Sequence, residues 1–345
     1  MIKRRLNWLL TGWVALWLAT AGLLVVLMPD AVRYAECWRT FYWDAHHIHD
    51  LLAGEGLGTL VSDFLTQFLA TRCSAALMIG GLYATACLVI VALAGRWLQG
   101  RRLGIVAAVT VLGLGGVTAW WTMGKSSVRG TEGRWRSEMC LVHEQRWDNV
   151  LRLTDGRRLS NQLELNLRNL ALAETGGLAK QFKAQPNADI NHLVVLKIGS
   201  PEVAAMLSDI YWSMGEVSMS QYYAFEANEK MGNLSPRLLQ RLALTNIVYG
   251  EYRVAEKYLK WLDKTLFYHK WAQHCRTLLR DEAVNNDPVL SLKRRCIPRE
   301  NCFPSARSIP YDLEQLLKQC PEHRSSREYL EAIQSHSDAT RPLPQ

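Results

Sequence analysis

Three long runs without a charged residue occupy the first part of the chain, and polar positions interrupt the apolar ones everywhere after them. The runs are residues 6–28, 73–95 and 103–123. A helix needs about 20 apolar residues to cross the hydrocarbon core of a bilayer, because its backbone polar groups find no other partner there. Each run is therefore predicted to form a transmembrane helix. Residues 1–123 are the predicted membrane domain, with residues 29–72 as a loop between the first two helices.

The first run also has features of a secretory signal peptide. Residues 3–5 are all basic, and the small residues 19–21 resemble a site of signal cleavage. The apolar stretch nevertheless continues to Met28, which makes it longer than the hydrophobic part of a usual signal peptide. This length favours a retained membrane anchor over a cleaved leader.

The basic residues of the short connections indicate the orientation. The connection 96–102 carries three arginines and no acid, whereas the loop 29–72 carries six acids against three arginines. Basic loops are retained in the cytoplasm. We therefore expect the loop to lie outside, and three crossings leave residues 124–345 outside as well. The predicted location is a membrane, with the lipid bilayer as one partner of the protein.

Between residues 124 and 284 the apolar positions follow a helical period, and one pattern recurs after 35 residues. Val217, Ser220, Ala224, Ala227 and Met231 correspond to Tyr252, Ala255, Leu259, Leu262 and Leu266. Stacked helical hairpins repeat at this interval, and the tetratricopeptide repeat has a period of 34 residues. Residues 124–284 are therefore predicted to form a tetratricopeptide-like (TPR-like) α-solenoid. The predicted fold class of the whole chain is all-α.

Residues 285–345 hold seven of the eleven prolines and are predicted to be a mostly irregular tail with one short helix around residues 311–319. Cys296, Cys302 and Cys320 lie in this tail. Three interpretations of these cysteines stay open. An oxidising envelope would favour disulfides, and unpaired thiols are the second interpretation. A Zn²⁺ site is the third, although the spacing matches no familiar zinc motif.

A second group of potential metal ligands lies in the loop 29–72. His46, His47 and His49 stand between two aspartates, and imidazole and carboxylate groups at such spacing are able to bind Zn²⁺. The alternative is a set of polar residues at the membrane surface. Because no second pair of ligands stands at helical spacing, we predict no metal and no cofactor.

Arg237, Gln240 and Arg241 share one face of a predicted helix and are the candidate partner-binding residues. Two arginines one turn apart suit a carboxylate of a partner, and the alternative is a solvated helix face. The net charge is +8, but lysines alternate with acids along the repeats, so no nucleic-acid partner is expected. Neither a catalytic motif nor paired catalytic carboxylates stand out, so an enzyme is the less favoured class.

Several runs resemble one uncharacterised family of bacterial multi-span inner-membrane proteins with C-terminal TPR-like helical repeats. The runs are Leu57–Phe68, Gln221–Ala227, Glu256–Leu259 and Lys264–Ala272. The resemblance covers roughly residues 1–95 and 140–283, and it rests on packing motifs. It implies the fold described above and a location in a bacterial inner (cytoplasmic) membrane, and it carries no activity with it.

These observations predict a membrane-anchored interaction scaffold without catalytic activity. The solenoid would present a groove to an envelope protein or peptide, because repeated units create a long and rigid surface. Two alternatives belong to other classes. One is a component of a membrane transporter or enzyme with a polar site in the loop 29–72, and the other is an envelope metal-binding protein.

Overall fold

A computed structural model describes residues 2–124, 130–159, 161–184, 189–195, 199–298 and 309–340. In these ranges the regular secondary structure is helical, and they contain no strand. The all-α prediction is confirmed for this part of the chain. The chain divides into two compact units. Met1–Glu36 and Val61–Cys140 form the first unit, and Cys37–Leu60 and Leu141–Gln345 form the second unit.

The α-helices of the described ranges are numbered in chain order. They are α1 (Ile2–Leu27), α2 (Ala45–Gly54), α3 (Leu57–Thr66), α4 (Arg72–Ala94), α5 (Arg101–Ala119), α6 (Thr131–His143), α7 (Trp147–Thr154), α8 (Gln162–Thr175), α9 (Leu178–Lys183), α10 (Pro201–Ser213), α11 (Val217–Lys230), α12 (Pro236–Tyr249), α13 (Tyr252–Asp263), α14 (His269–Arg276), α15 (Asp281–Asn286), α16 (Pro288–Arg295), α17 (Ile309–Gln319) and α18 (Arg324–Thr340). Short 3-10 helices occupy Asp30–Cys37, Gln67–Ala70 and Ile190–His192, and a π-helical turn, Trp120–Gly124, follows α5.

Three helices of the first unit are long and apolar enough to cross a membrane. They comprise Leu9–Leu27, Arg72–Ala94 and Arg101–Thr122. These helices coincide with the three runs that the sequence predicts as transmembrane helices. Each run is free of charged residues, as a helix in the hydrocarbon core requires.

Helices α1 and α4 approach each other closely where α4 carries small residues. A Cβ atom on Gly80 would lie 3.0 Å from Thr20 Oγ1 and 3.1 Å from Ala21 N, so a larger residue there would require α1 and α4 to shift apart. Nearby, Trp17 Nε1 donates to Leu77 O over 2.8 Å. Small residues that let two backbones approach are typical of helix packing in membranes.

In the second unit, helices α10 to α13 form two consecutive hairpins with the same register. Helices α10 and α12 begin at Pro201 and Pro236, which are 35 residues apart. Helices α11 and α13 begin at Val217 and Tyr252, again 35 residues apart. Proline suits the first turn of a helix, because the missing N–H group has no partner within the helix there. The predicted correspondence between these segments is therefore present in the helix bounds.

The 37–60 segment belongs to the second unit, whereas the sequence predicts it as part of an external loop of the membrane domain. Tyr42 is 1% exposed, and its hydroxyl donates to Leu234 O over 2.7 Å. Lys264 Nζ lies 2.5 Å from Asp44 Oδ2. Contacts between residues so far apart in the chain leave no periodic signal, so the sequence does not indicate that residues 37–60 belong to the second unit.

The described part of the tail is mostly helical, which differs from the irregular tail expected from its prolines. Only α17 corresponds to the short helix expected around residues 311–319. Pro288 starts α16 at a position that proline tolerates, so it does not interrupt a helix. Helix α18 packs on α8 and α9 and buries Tyr329 and Ala332 in the second unit.

Candidate functional site, a charged cavity in the second unit

The second unit contains a cavity of about 360 Å³ that is open to solvent. Its walls come from α6, α7, α8, α10, α12, α16 and the start of α18. Apolar side chains such as Val142, Trp212 and Leu292 form part of the lining. The remaining lining is unusually rich in ionisable groups, of which Glu174, Asp209, Arg241, Lys293, Glu322 and Arg324 carry formal charges.

Asp209 stands at one side of the cavity and binds two arginines. Its Oδ2 atom accepts from Arg237 Nη2, and its Oδ1 atom accepts from Arg241 Nη2 over 2.8 Å. Burial alone would raise the pKa of Asp209, but the two guanidinium groups outweigh it and hold the pKa below its ordinary value. The aspartate is therefore charged, and each of its oxygens is occupied by an arginine.

Lys293 is a buried amine at the inner wall of the cavity. Its Nζ atom lies 3.3 Å from Ser213 O and 3.0 Å from His323 Nε2. Within the described part of the chain, Lys293 forms no ion pair. Burial lowers the pKa of Lys293 to about 8, which reflects the cost of keeping the charge away from water.

His323 is neutral and oriented by a chain of hydrogen bonds. Burial, followed by the charge of Lys293, lowers the pKa of His323 to about 3. Its Nε2 atom lies 3.0 Å from Lys293 Nζ, and its Nδ1 atom lies 3.3 Å from the main-chain nitrogen of Ser326. Nδ1 is 2.6 Å from Ser326 Oγ, which in turn donates to Met214 O over 2.6 Å. This chain fixes the imidazole and with it the position of the lysine.

Glu174 is a carboxylate whose charge acts on Lys293, but its hydrogen bonds come from serines. Its Oε1 atom accepts from Ser213 Oγ over 2.5 Å and from Ser325 Oγ over 3.5 Å. Arg324 Nη2 donates to the main-chain oxygen of Glu174. The carboxylate raises the pKa of Lys293 through space without bonding to it.

Two cationic side chains lie over the indole ring of Trp212. Arg241 Cζ lies 4.5 Å and Lys293 Nζ lies 5.6 Å from the ring centroid. Such contacts stabilise a cation at the face of an aromatic ring, more so when water is excluded. An aromatic ring, an arginine and a lysine therefore line the cavity side by side.

The structure places the three candidate partner-binding residues at this cavity or beside it. Arg237 is 3% exposed, so its guanidinium group is buried with Asp209 and does not face a solvated groove. Arg241 lines the cavity. Gln240 Oε1 is buried and accepts no hydrogen bond from the described residues. The carboxylate that the two arginines bind in this structure belongs to the chain itself.

The histidines of the 37–60 segment point in different directions. His47 packs against Tyr42 and Trp261, with ring centroids 5.7 Å and 6.0 Å away. His46 is exposed, and His49 is exposed beside Asp50. Among the described residues, no group of three or more histidines, cysteines and acids is arranged to hold a metal ion.

Cys296 and Cys320 are brought together as buried, unbonded thiols. They share a small apolar cluster with Leu292 and Leu316. Burial, followed by the neighbouring Cys320, raises the pKa of the Cys296 thiol to about 12. Cys302, the third cysteine of the predicted group, lies outside the described residues. The disulfide interpretation therefore stays a prediction.

Sequence reasoning missed Asp209, Glu174 and Lys293 as members of a site. Asp209 carries a usable signal, since it is a single acid within the apolar run 203–214, and charged residues are rarely buried unless paired. Lys293 carries none, because it precedes Arg294 and Arg295 in what reads as a solvated basic cluster.

The described part of the chain is all-helical. It has long apolar helices near the N-terminus and a helical second unit that contains buried charged residues at a cavity. A family model described as a family of unknown function (DUF6057) matches residues 137–334. This match covers more than half of the chain and every residue that lines the cavity, and the chain belongs to this family. No curated protein and no solved structure matches the chain.

Proposed function

We propose that this protein is a membrane-anchored helical-repeat protein whose TPR-like repeats bind a protein or peptide of the bacterial envelope. The anchor would consist of α1, α4 and α5 in the inner membrane, and the second unit would lie outside the cytoplasm. The observation that carries this proposal is the shared 35-residue register of the hairpins α10–α11 and α12–α13. Repeated hairpins create extended surfaces that suit protein recognition.

A pair of exposed aromatic side chains supports a binding role for the first of these hairpins. Tyr222 and Phe225 of α11 are 51% and 53% exposed, and they lie one turn apart on one face of the helix. Exposed aromatic residues are enriched where proteins bind one another. The positions 35 residues later carry Lys257 and Lys260, which are exposed as well. The apolar pair is therefore a property of one hairpin and not of the repeat.

Photo-cross-linking in intact cells tests the proposal. A photoreactive phenylalanine derivative would replace Tyr222 or Phe225, and matched controls would carry it at Lys257 or Lys260. We expect a discrete protein adduct of the same mass from both aromatic positions and not from the lysine positions. An absence of adducts at Tyr222 and Phe225, or the same adducts from all four positions, would contradict binding at this face.

A further inference from the structure

Lys293 is a buried cation of the charged cavity, and no carboxylate of the described residues forms an ion pair with it. Both oxygens of Asp209 are taken by arginines, and Glu174 accepts hydrogen bonds from serines. Lys293 forms no ion pair within the described residues, although it is 6% exposed. A buried charge without a partner is costly, so an anion that enters the cavity would relieve this cost.

Donor groups are also available for such an anion. Lys293 uses its ammonium group on Ser213 O and His323 Nε2, which leaves one of three N–H groups. Arg241 donates to Asp209 through Nη2 alone, and its other N–H groups are free of hydrogen bonds to the described residues. Both side chains line the cavity and contact the same indole.

The lining selects the kind of anion. Glu174, Asp209 and Glu322 line the same cavity, and these three acids would repel a doubly charged phosphate more strongly than a singly charged group. Trp212 and Leu292 offer apolar surface to the body of an organic ligand. A volume of about 360 Å³ lies within the range of small-molecule sites.

We propose that this cavity binds the carboxylate of a small organic acid, free or as the C-terminal end of a peptide, through Lys293 and Arg241. The apolar part of the ligand packs against Trp212. His323 acts as a positioning residue, because its Nε2 atom lies 3.0 Å from Lys293 Nζ and helps to hold the lysine in place. This inference concerns a different place from the aromatic pair on α11, and it does not depend on binding there.

Binding of defined probes to the full-length protein in detergent tests the proposal. The probes are N-acetylated alanine, leucine and phenylalanine, their uncharged C-terminal amides, acetylated tripeptides that end in the same residues, and inorganic phosphate. We expect saturable binding of at least one acid, about ten-fold or more tighter than its amide, and weaker binding of phosphate. Tighter binding of the tripeptides would identify the end of a peptide as the ligand, and tighter binding of the single residues would identify a free acid.

Substitution of the lysine provides the matched comparison. Lys293→Met should weaken binding of the acid about ten-fold or more and leave binding of the amide unchanged, because methionine keeps most of the side chain and removes the charged amine. Lys260→Met, on the exposed face of α13, should change neither. The proposal is overturned if no acid binds, if amides or phosphate bind as tightly as the acids, or if Lys293→Met binds like the unsubstituted protein. The comparison of acid with amide needs no variant, so it remains decisive if Lys293→Met fails to fold.

Discussion

Glu216 is a buried carboxyl group of the second unit whose pKa is raised by its surroundings. It lies in the turn between α10 and α11, is 7% exposed, and faces a small cavity together with Asp312. Burial, followed by repulsion from Asp312, raises the pKa of Glu216 to about 7. The folded protein therefore favours the protonated form of this side chain.

Replacement of Glu216 by glutamine should change how stability depends on pH. The folded pKa lies above the ordinary value of 4.5, so the stability from the protonated form is present below pH 4.5 and is lost as pH rises through about 7. At pH 8, the unfolding free energy of Glu216→Gln should exceed that of the unsubstituted protein by up to about 3 kcal/mol. Thermal unfolding measures this gain as a higher unfolding temperature. At pH 4.5 the two proteins should be nearly equal. Glu229→Gln, at an exposed position of α11, serves as the control, and an equal gain at both pH values would refute this account.

At the residue scale, the sequence predicts which side chains share a helix face but not what they bind. Arg237 and Arg241 do lie one turn apart, as their spacing requires. Their carboxylate partner is Asp209, which lies on α10, one hairpin earlier. Only the packing of α12 on the preceding hairpin determines that contact, and a single sequence carries no direct signal of such packing.

The two hairpin turns make a matched pair of structural elements. Gly215 and Gly250 both have positive φ angles, 82° and 80°, and each ends the first helix of its hairpin. Their surroundings differ. A Cβ atom on Gly215 would lie 3.1 Å from Leu316, 3.2 Å from Cys296 Sγ and 3.3 Å from His323 Nε2, whereas no described residue lies within 4 Å of a Cβ atom on Gly250.

Alanine at the two glycines should therefore separate backbone strain from packing. Gly250→Ala is expected to cost about 1 kcal/mol of unfolding free energy, because a Cβ atom strains a left-handed residue. Gly215→Ala should cost about 1–3 kcal/mol more, since the tail helices must shift away from the turn. Denaturant unfolding of both variants measures the difference. Equal losses would mean that the tail does not pack tightly on the first turn.

At the element scale, local periodicity predicts the hairpins well and the tail poorly. Helices α10 to α13 show continuous apolar stripes, because each buries a face along its whole length. Helix α18 buries small and polar residues such as Ser326 together with Tyr329, so the contrast between its faces is weak. Prolines and serines around it are typical of irregular chain, although Pro288 in fact begins a helix.

Tyr42 connects the 37–60 segment to the core of the second unit, and this contact is testable in the full-length protein. Tyr42→Ala should lower the unfolding free energy by about 3–5 kcal/mol, as loss of a buried aromatic side chain does. Tyr42→Phe should lower it by about 1 kcal/mol, because the hydrogen bond to Leu234 O is lost while the ring remains. The neighbouring Trp43 is 56% exposed, so Trp43→Ala is the control with a small expected effect. A full effect of Trp43→Ala and none of Tyr42→Ala would contradict this packing.

At the scale of the whole molecule, the distribution of basic residues predicts on which side of the membrane each part of the chain lies. A reporter that is active only outside the cytoplasm should be active when fused after Gln345 and inactive when fused after Arg102. A reporter that works only in the cytoplasm should show the opposite pattern. If the fusion after Gln345 behaves as cytoplasmic, the proposed envelope partner is excluded and the thiols of the tail face a reducing compartment.

The packing of the 37–60 segment with residues 141–345 constrains the chain path independently of charge. A bilayer cannot separate residues that share a core, so a membrane-anchored chain must cross an even number of times between residues 60 and 141. Helices α4 and α5 are long and apolar enough to supply two crossings, and removal of either one would break this parity. Labels at His49 and at the C-terminus should accordingly report the same compartment, whichever compartment that is.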